Sequence, residues 1–298
     1  MQPELLYLDC TAPVPHRMAY WQWGDPQASH TIVCAHGLSR QGRDFDVLAQ
    51  ALVERSKSPL RVVCPDVVGR GKSDFLADPQ GYQLPTYVAD MLQLLAQRKP
   101  ATLDWVGTSM GGLIGMLLCA YAPSVGASVR RLVLNDVGPV IQWQALQRIG
   151  QYLGKSGQFA TVQEAADAMW AISSSFGPHT PEQWLALSQS MLKPVSNPQG
   201  GTAFVLHYDP AIALPFGAMT AQQAQEGEAL LWQAYDAISA RTLLLRGEQS
   251  DLLSAATAQQ MTQSGPQAQL VEFAGVGHAP TLIAPDQVDS VAQFLLAA

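Results

Sequence analysis

The chain has 298 residues, of which 48% are apolar and 14% charged, with a formal net charge of −7. A large core can be built from that composition, and a charged fraction below the usual quarter, without any Lys/Arg run, excludes nucleic acid as a partner. The opening MQPELLYLD has no basic start followed by an apolar stretch, and no apolar run approaches the roughly 18 residues of a membrane helix, so neither a signal peptide nor membrane insertion is expected.

In chain order, residues 5–9 and 17–23 are predicted strands. TIVCAH (31–36) is a short apolar run of strand length, followed by a glycine and the helical spacing of DFDVLAQALVE. RVVCPD (61–66) is a further strand, and LPTYVADMLQLLAQR (84–98) carries Leu84, Val88, Met91, Leu92 and Leu95 on one helical face. TLDWVG (102–107), SMGGLIGMLLCAYAP (109–123) and RRLVLND (130–136) read as strand, helix and strand. From about 139 to 232 the alternation breaks into helix-like pieces, such as 161–172 and 180–192, separated by Gly/Pro-rich joints including KPVSNPQGG. The rhythm resumes with a strand at 241–247, a helix near 254–263, a strand at 268–275 and a helix at 286–297. Continuously apolar strands separated by helices mark an α/β protein with a mostly parallel sheet covered on both faces.

The chemistry centres on Gly107-Thr108-Ser109-Met110-Gly111, a G-x-S-x-G between a strand and a helix. A serine in that bend has unfavourable backbone angles and crowded neighbours, which the flanking glycines relieve. Gly112 and Gly115 would let the helix approach the sheet closely. A serine needs a base to take its proton. Of six histidines, His278 in GVGHAP follows the last predicted strand, at the carboxyl end of the sheet where ligands bind. An acid must hold that imidazole. Asp251, after strand 241–247, is the expected partner, with Asp136 at the end of strand 130–136 as its competitor. The amides of Leu38 and Met110 are the expected oxyanion donors, with Gly37 allowing the turn and His36 shaping it.

Several features are decoys. Gly71-Lys72-Ser73 would need a glycine at position 66 to be a P-loop, and that residue is Asp66. No G-x-G-x-x-G opens a helix after a strand, so no dinucleotide cofactor is expected. The cysteines Cys10, Cys34, Cys64 and Cys119 and the scattered histidines lack metal spacing, so no metal is expected, and the thiols read as buried apolar groups in a reducing, cytoplasmic compartment.

HGLSR at 36–40, DVVGRGKSD at 66–74, GTSMGG at 107–112, SD at 250–251 and GVGH at 275–278 together resemble the α/β-hydrolase superfamily, from about residue 15 to the end. The resemblance implies an eight-stranded, mostly parallel sheet flanked by helices. It implies a helical cap inserted after the sixth strand, dividing the chain into core (1–138), cap (139–232) and core (233–298). It also implies Ser109 as nucleophile, His278 as base, Asp251 as its orienter, and Leu38 and Met110 as oxyanion donors. Related dehalogenases and epoxide hydrolases carry an aspartate at the elbow, so Ser109 points instead to acyl transfer to water.

The cap is rich in Trp, Phe and Met, most of which would pack its helices together while a few line an apolar pocket. The expected substrate is a small-to-medium carboxylic ester or lactone with an apolar portion. Arg40, Trp143 and His207, with Gly37, are candidate substrate contacts. Carbon–carbon bond cleavage of ring-fission products and thioester hydrolysis are the alternatives on the same residues, and a ligand binder without activity is disfavoured. A monomer or homodimer needing no cofactor is expected.

Overall fold

The structure, a computed structural model, describes residues 2–155, 157–197 and 200–297. The first two strands, β1 (Glu4–Cys10) and β2 (His16–Gly24), form an antiparallel hairpin, and β3 is His30–Ala35. Then come α1 (Asp46–Arg55), β4 (Leu60–Pro65), α2 (Leu84–Arg98), β5 (Thr102–Thr108), α3 (Met110–Tyr121) and β6 (Val129–Asn135). After an insert, β9 (Arg241–Gly247), α9 (Ala255–Met261), β10 (Gln269–Phe273) and α10 (Pro285–Leu296) close the chain. The insert holds α4 (Trp143–Tyr152), α5 (Val162–Ser173), α6 (Pro181–Gln189), β7 (Leu192–Ser196), β8 (Thr202–Leu206), α7 (Ala213–Gly217) and α8 (Ala221–Asp236).

Eight strands make one sheet in the order β1-β2-β4-β3-β5-β6-β9-β10. β2 pairs antiparallel with β4, and every pair from β4 to β10 is parallel. Alternate residues serve opposite cores, because successive side chains of a strand point to opposite faces. Ile32, Val62, Val106, Leu243 and Leu245 belong to the core that also holds Leu48 and Leu52 of α1 and Val291 and Leu295 of α10. Val33, Val63, Trp105, Leu132 and Leu244 belong to the other, with Met91 and Leu94 of α2 and Ile114 of α3. Both faces are covered, which is why these strands read as unbroken apolar runs.

The insert departs from the expectation of helices alone. KPVSNPQGG, expected as a joint, falls partly within an antiparallel ribbon in which β7 pairs with β8. Strand-forming Phe204 and Val205 and a Gly-rich connection favour the ribbon, and Pro194 is tolerated because a two-stranded ribbon has only edges. The helix expected over 180–192 ends at Gln189, and α4 and α8 form where no element was singled out. Trp184 is buried between α5 and α6, edge-on to Trp170 at 4.9 Å, so these rings pack the insert together. No helix among the described residues is long and apolar enough to cross a membrane.

Candidate active site

The strand–turn–helix at Ser109 has the strain its sequence implies. Ser109 has φ 51° and ψ −116°, a region L-residues rarely occupy. Two glycines make it possible. A Cβ on Gly107 would stand 2.2 Å from the Gly111 carbonyl oxygen, and one on Gly111 would stand 2.0 Å from that of Ala35. Gly112 and Gly115 serve close packing, since a Cβ on either would run into Val137 or Trp105. The Ser109 N–H donates to Asn135 O (3.0 Å), which ties the bend to the neighbouring strand β6.

Ser109 Oγ lies 2.9 Å from His278 Nε2, and His278 Nδ1 lies 2.7 Å from Asp136 Oδ2. Asp136 is fully buried. Its Oδ1 accepts from the Gly247 N–H (2.8 Å) and its Oδ2 from Ser250 Oγ (2.6 Å) as well as from the imidazole. An acceptor at Nδ1 fixes the tautomer that leaves Nε2 free to accept from the serine hydroxyl.

The expectation that Asp251 holds His278 is therefore corrected. Asp251 is 49% exposed and forms a two-pronged ion pair with Arg148 of α4, at 2.7 and 2.9 Å. Nor does it cap α9, whose N-cap is Ser254. The reason is geometric. Asp136 directly follows the last residue of β6, and its own N–H is bonded to Leu245 O of β9. Its backbone, at φ 56°, keeps the carboxylate beneath the sheet end. Asp251 stands four residues beyond β9, far enough out to reach solvent. A signal for Asp136 existed in the sequence: it follows the buried apolar stretch Leu132–Leu134 by two residues, so its carboxylate is buried, and burial of a charge requires partners.

The loop after β3 is fixed by two groups. His36 is fully buried, and burial pushes its pKa down to about 3, so it is neutral. Its Nδ1 donates to Gly37 O (2.7 Å), while its Nε2 accepts from the Val67 N–H (2.9 Å). The Arg40 N–H also donates to Gly37 O (3.1 Å). Because a trans peptide is planar with its C=O and N–H opposed, anchoring Gly37 O aims the Leu38 N–H the other way. Gly37, Leu38 and Ser109 all line one cavity, and a Cβ on Gly37 would lie 3.8 Å from Ser109 Cβ. At the first residue of α3, the Met110 N–H is one of the amides a helix start leaves without an intrahelical partner.

Arg70 was not singled out from the sequence. It is fully buried within the 66–74 turn. Its guanidinium donates to Leu38 O (2.8 Å), Val68 O (2.7 Å) and Tyr87 Oη (3.0 Å), and it touches Met110 Sδ at 3.6 Å. It thus braces Leu38, which lines the cavity beside Ser109, and Met110, the residue after Ser109. The same turn wraps Asp66, which accepts from the N–H groups of Gly42 and Lys72, both at 2.8 Å. That explains the GKS triplet without a nucleotide.

Above the serine is a cavity of about 240 Å³, lined by sheet-end loops and by the insert. α5 contributes Met169 and Ile172, and Phe159, Phe176, Met191 and Leu206 extend that apolar wall. α4 contributes Arg148, Ile149 and Tyr152, and Lys155 and Tyr208 lie nearby. Burial pushes the phenols of Tyr152 and Tyr208 up, so both present neutral hydroxyls. Arg40 lines the cavity too, but its fork is closed by Asp44 at 2.6 and 2.8 Å. Trp143 and His207 are not among the lining residues. His207 sits just past the end of β8, between Leu206 and Tyr208, which do line the cavity. Burial, with Lys72 and Lys193 nearby, pushes the His207 pKa down to about 4.

Among the described residues, Cys10, His16 and Asp90 have metal-type ligand atoms within 4.8 Å of one another. Both His16 nitrogens already lie beside protein acceptors, Val14 O at 2.7 Å and Asp90 Oδ2 at 3.1 Å, so the ring is engaged within the protein. Burial, which would lower its pKa, is outweighed by Asp90, and the pKa is raised. The four cysteines are free.

The profile of the alpha/beta hydrolase family matches residues 32–293. The chain belongs to the alpha/beta hydrolase family. Within that family, it is 48% identical over 99% of both chains to 3-hydroxybutyrate-oligomer hydrolase of Cupriavidus necator. It is 26% identical to the pimeloyl-acyl-carrier-protein methyl ester esterase of Photobacterium profundum, covering 92% of this chain and 97% of that one. Its fold superposes on an alpha/beta hydrolase from Novosphingobium aromaticivorans with TM-score 0.83 and 35% identity, covering 99% of each chain.

Proposed function

We propose that this alpha/beta hydrolase cleaves short oligomeric esters of hydroxyalkanoic acids, 3-hydroxybutyrate oligomers foremost, through an acyl-enzyme on Ser109. The observation that carries this reading is the hydrogen-bonded chain Ser109–His278–Asp136, whose first two members line the cavity. The 48% identical oligomer hydrolase supports the substrate class.

In this reading His278 Nε2 takes the hydroxyl proton as Ser109 Oγ bonds to the carbonyl carbon. Asp136 keeps Nδ1–H in place and stabilises the imidazolium. The carbonyl oxygen becomes an oxyanion, and the amides of Leu38 and Met110 donate to it. The carbon–oxygen ester bond then breaks, and the departing hydroxyl group takes its proton from His278. A water, deprotonated by the same nitrogen, attacks the acyl-enzyme, releases the acid and restores Ser109. The apolar wall from α5 suits the methyl-bearing backbone of such an oligomer, and the hydroxyls of Tyr152 and Tyr208 suit its ester oxygens.

The test is turnover of a 3-hydroxybutyrate trimer, followed by separation of monomer and dimer. Wild type is expected to release both, and Ser109→Ala to lose turnover together with labelling by a fluorophosphonate. Labelling without trimer cleavage would discard the oligomer as substrate. Cleavage of a dienone ring-fission product in its place would move the reading to carbon–carbon hydrolysis.

A further inference from the structure

Arg148 and Tyr152 stand one turn apart on α4, and Lys155 follows just past the helix end, after the extended Leu153 and the left-handed Gly154. All three line the cavity, opposite in character to the apolar wall of α5. Their charges differ in one respect. Arg148 is balanced by Asp251, which occupies Nε and Nη2, and its guanidinium also meets the Tyr152 hydroxyl. The Arg40 fork is closed by Asp44. Lys155 has no acid partner among the described residues. An unbalanced ammonium is thus set at the cavity of a chain whose net charge is −7. Such a charge attracts an anion that the rest of the surface repels.

We infer that Lys155, with the Tyr152 hydroxyl, forms a subsite for the free carboxylate end of the substrate. The inference rests on the oligoester reading and adds to it that the chain end is recognised, not only the ester link. Asp251 then acts as a positioning residue, holding Arg148 against the Tyr152 hydroxyl. An ionised carboxylate accepts hydrogen bonds from both donors, whereas a methyl ester offers a neutral and weaker acceptor.

The experiment uses the Ser109→Ala protein, so that binding is read without turnover. Calorimetry compares 3-hydroxybutyrate trimer as the free acid with the same trimer capped as its methyl ester. The acid is expected to bind about tenfold more tightly at low salt, with the preference shrinking as salt is added. Lys155→Met should erase the preference and Lys155→Glu should reverse it; Lys155 is exposed, so neither threatens the fold. Equal binding of acid and ester, absence of binding by both, or a preference that survives Lys155→Met overturns the subsite. Turnover by wild-type protein is measured in parallel. Acid and ester cleaved with equal kcat/KM would leave ester hydrolysis standing and remove the carboxylate subsite alone.

Discussion

Asp136 Oδ2 stands 2.7 Å from His278 Nδ1, and the nearer-looking Asp251 is turned toward Arg148. Two carboxylates after adjacent strands therefore have separate tasks. Asp136→Asn would present the imidazole with the wrong hydrogen-bond partner, and kcat on p-nitrophenyl butyrate should fall about 10⁴-fold. Asp251→Asn should cost less than about tenfold on that uncharged ester, since one exposed ion pair is worth little. Steady-state kinetics of the two variants decide it. Equal damage from both would reassign the acid.

The bend at Ser109 depends on absent side chains. Gly107→Ala and Gly111→Ala each place a methyl within 2.2 Å of backbone that cannot move aside. Overpacking of this kind costs about 1–3 kcal/mol or more. Thermal unfolding should show a Tm drop of several degrees for each, with activity lost beyond what the lower stability explains. A variant with wild-type Tm and full turnover would contradict the packing at this turn.

Arg70 is a buried cation whose donors reach the Leu38 loop, its own turn at Val68, Tyr87 of α2 and Met110 beside the serine. Arg70→Met leaves Leu38 O and Val68 O without those donors. Each orphaned buried acceptor costs about 1–3 kcal/mol, and the amides of Leu38 and Met110 lose their brace. The expected result is a lower urea midpoint and a kcat reduced about 10²-fold with KM little changed, as for loss of an oxyanion donor. Arg70→Lys should rescue only partly, because one ammonium cannot replace a planar fork. Unchanged kcat would confine Arg70 to stability.

His36 gives a pH signature. The unfolded chain binds a proton at this residue near pH 6.5, whereas the folded protein resists protonation down to about pH 3. Between those limits the unfolded state carries the extra proton, so His36 makes stability fall as pH drops from 6.5 toward 3, by up to about 1.4 kcal/mol per pH unit. Asp66, pushed up to about 6 by burial, slopes the opposite way between 3.8 and 6. Subtracting the unfolding free energy of a His36→Asn variant, pH by pH, removes the Asp66 contribution. That difference should shrink as pH falls below 6.5. A difference flat across the window would mean that His36 is protonated in the fold.

Much of this molecule was legible before any coordinates. Stretches such as IVCA (32–35) and LVL (132–134) are apolar at every position because both faces of their strands are covered, and that pattern alone announces a parallel sheet. Ser109 between Gly107 and Gly111 was legible for the same kind of reason: backbone strain and the clearance it needs are properties of a few adjacent residues. His278 was legible because the last sheet loop could lie only at the carboxyl end of the sheet.

The choice between Asp136 and Asp251 was not local. β6 and β9 are neighbours in the sheet, so both aspartates emerge at the same end, and both satisfy the order serine, acid, histidine. Which one meets the imidazole depends on the left-handed turn at Asp136, on the Gly247 and Ser250 donors that hold it, and on Arg148 arriving from the insert to claim Asp251. Arg70 was hidden likewise, since its acceptors lie 2, 17 and 32 residues away. Short-range sterics and hydrophobic pattern are written in consecutive residues. The pairing of a buried charge with distant partners is settled only when the chain has packed, because the cost of leaving it unpaired is felt only there.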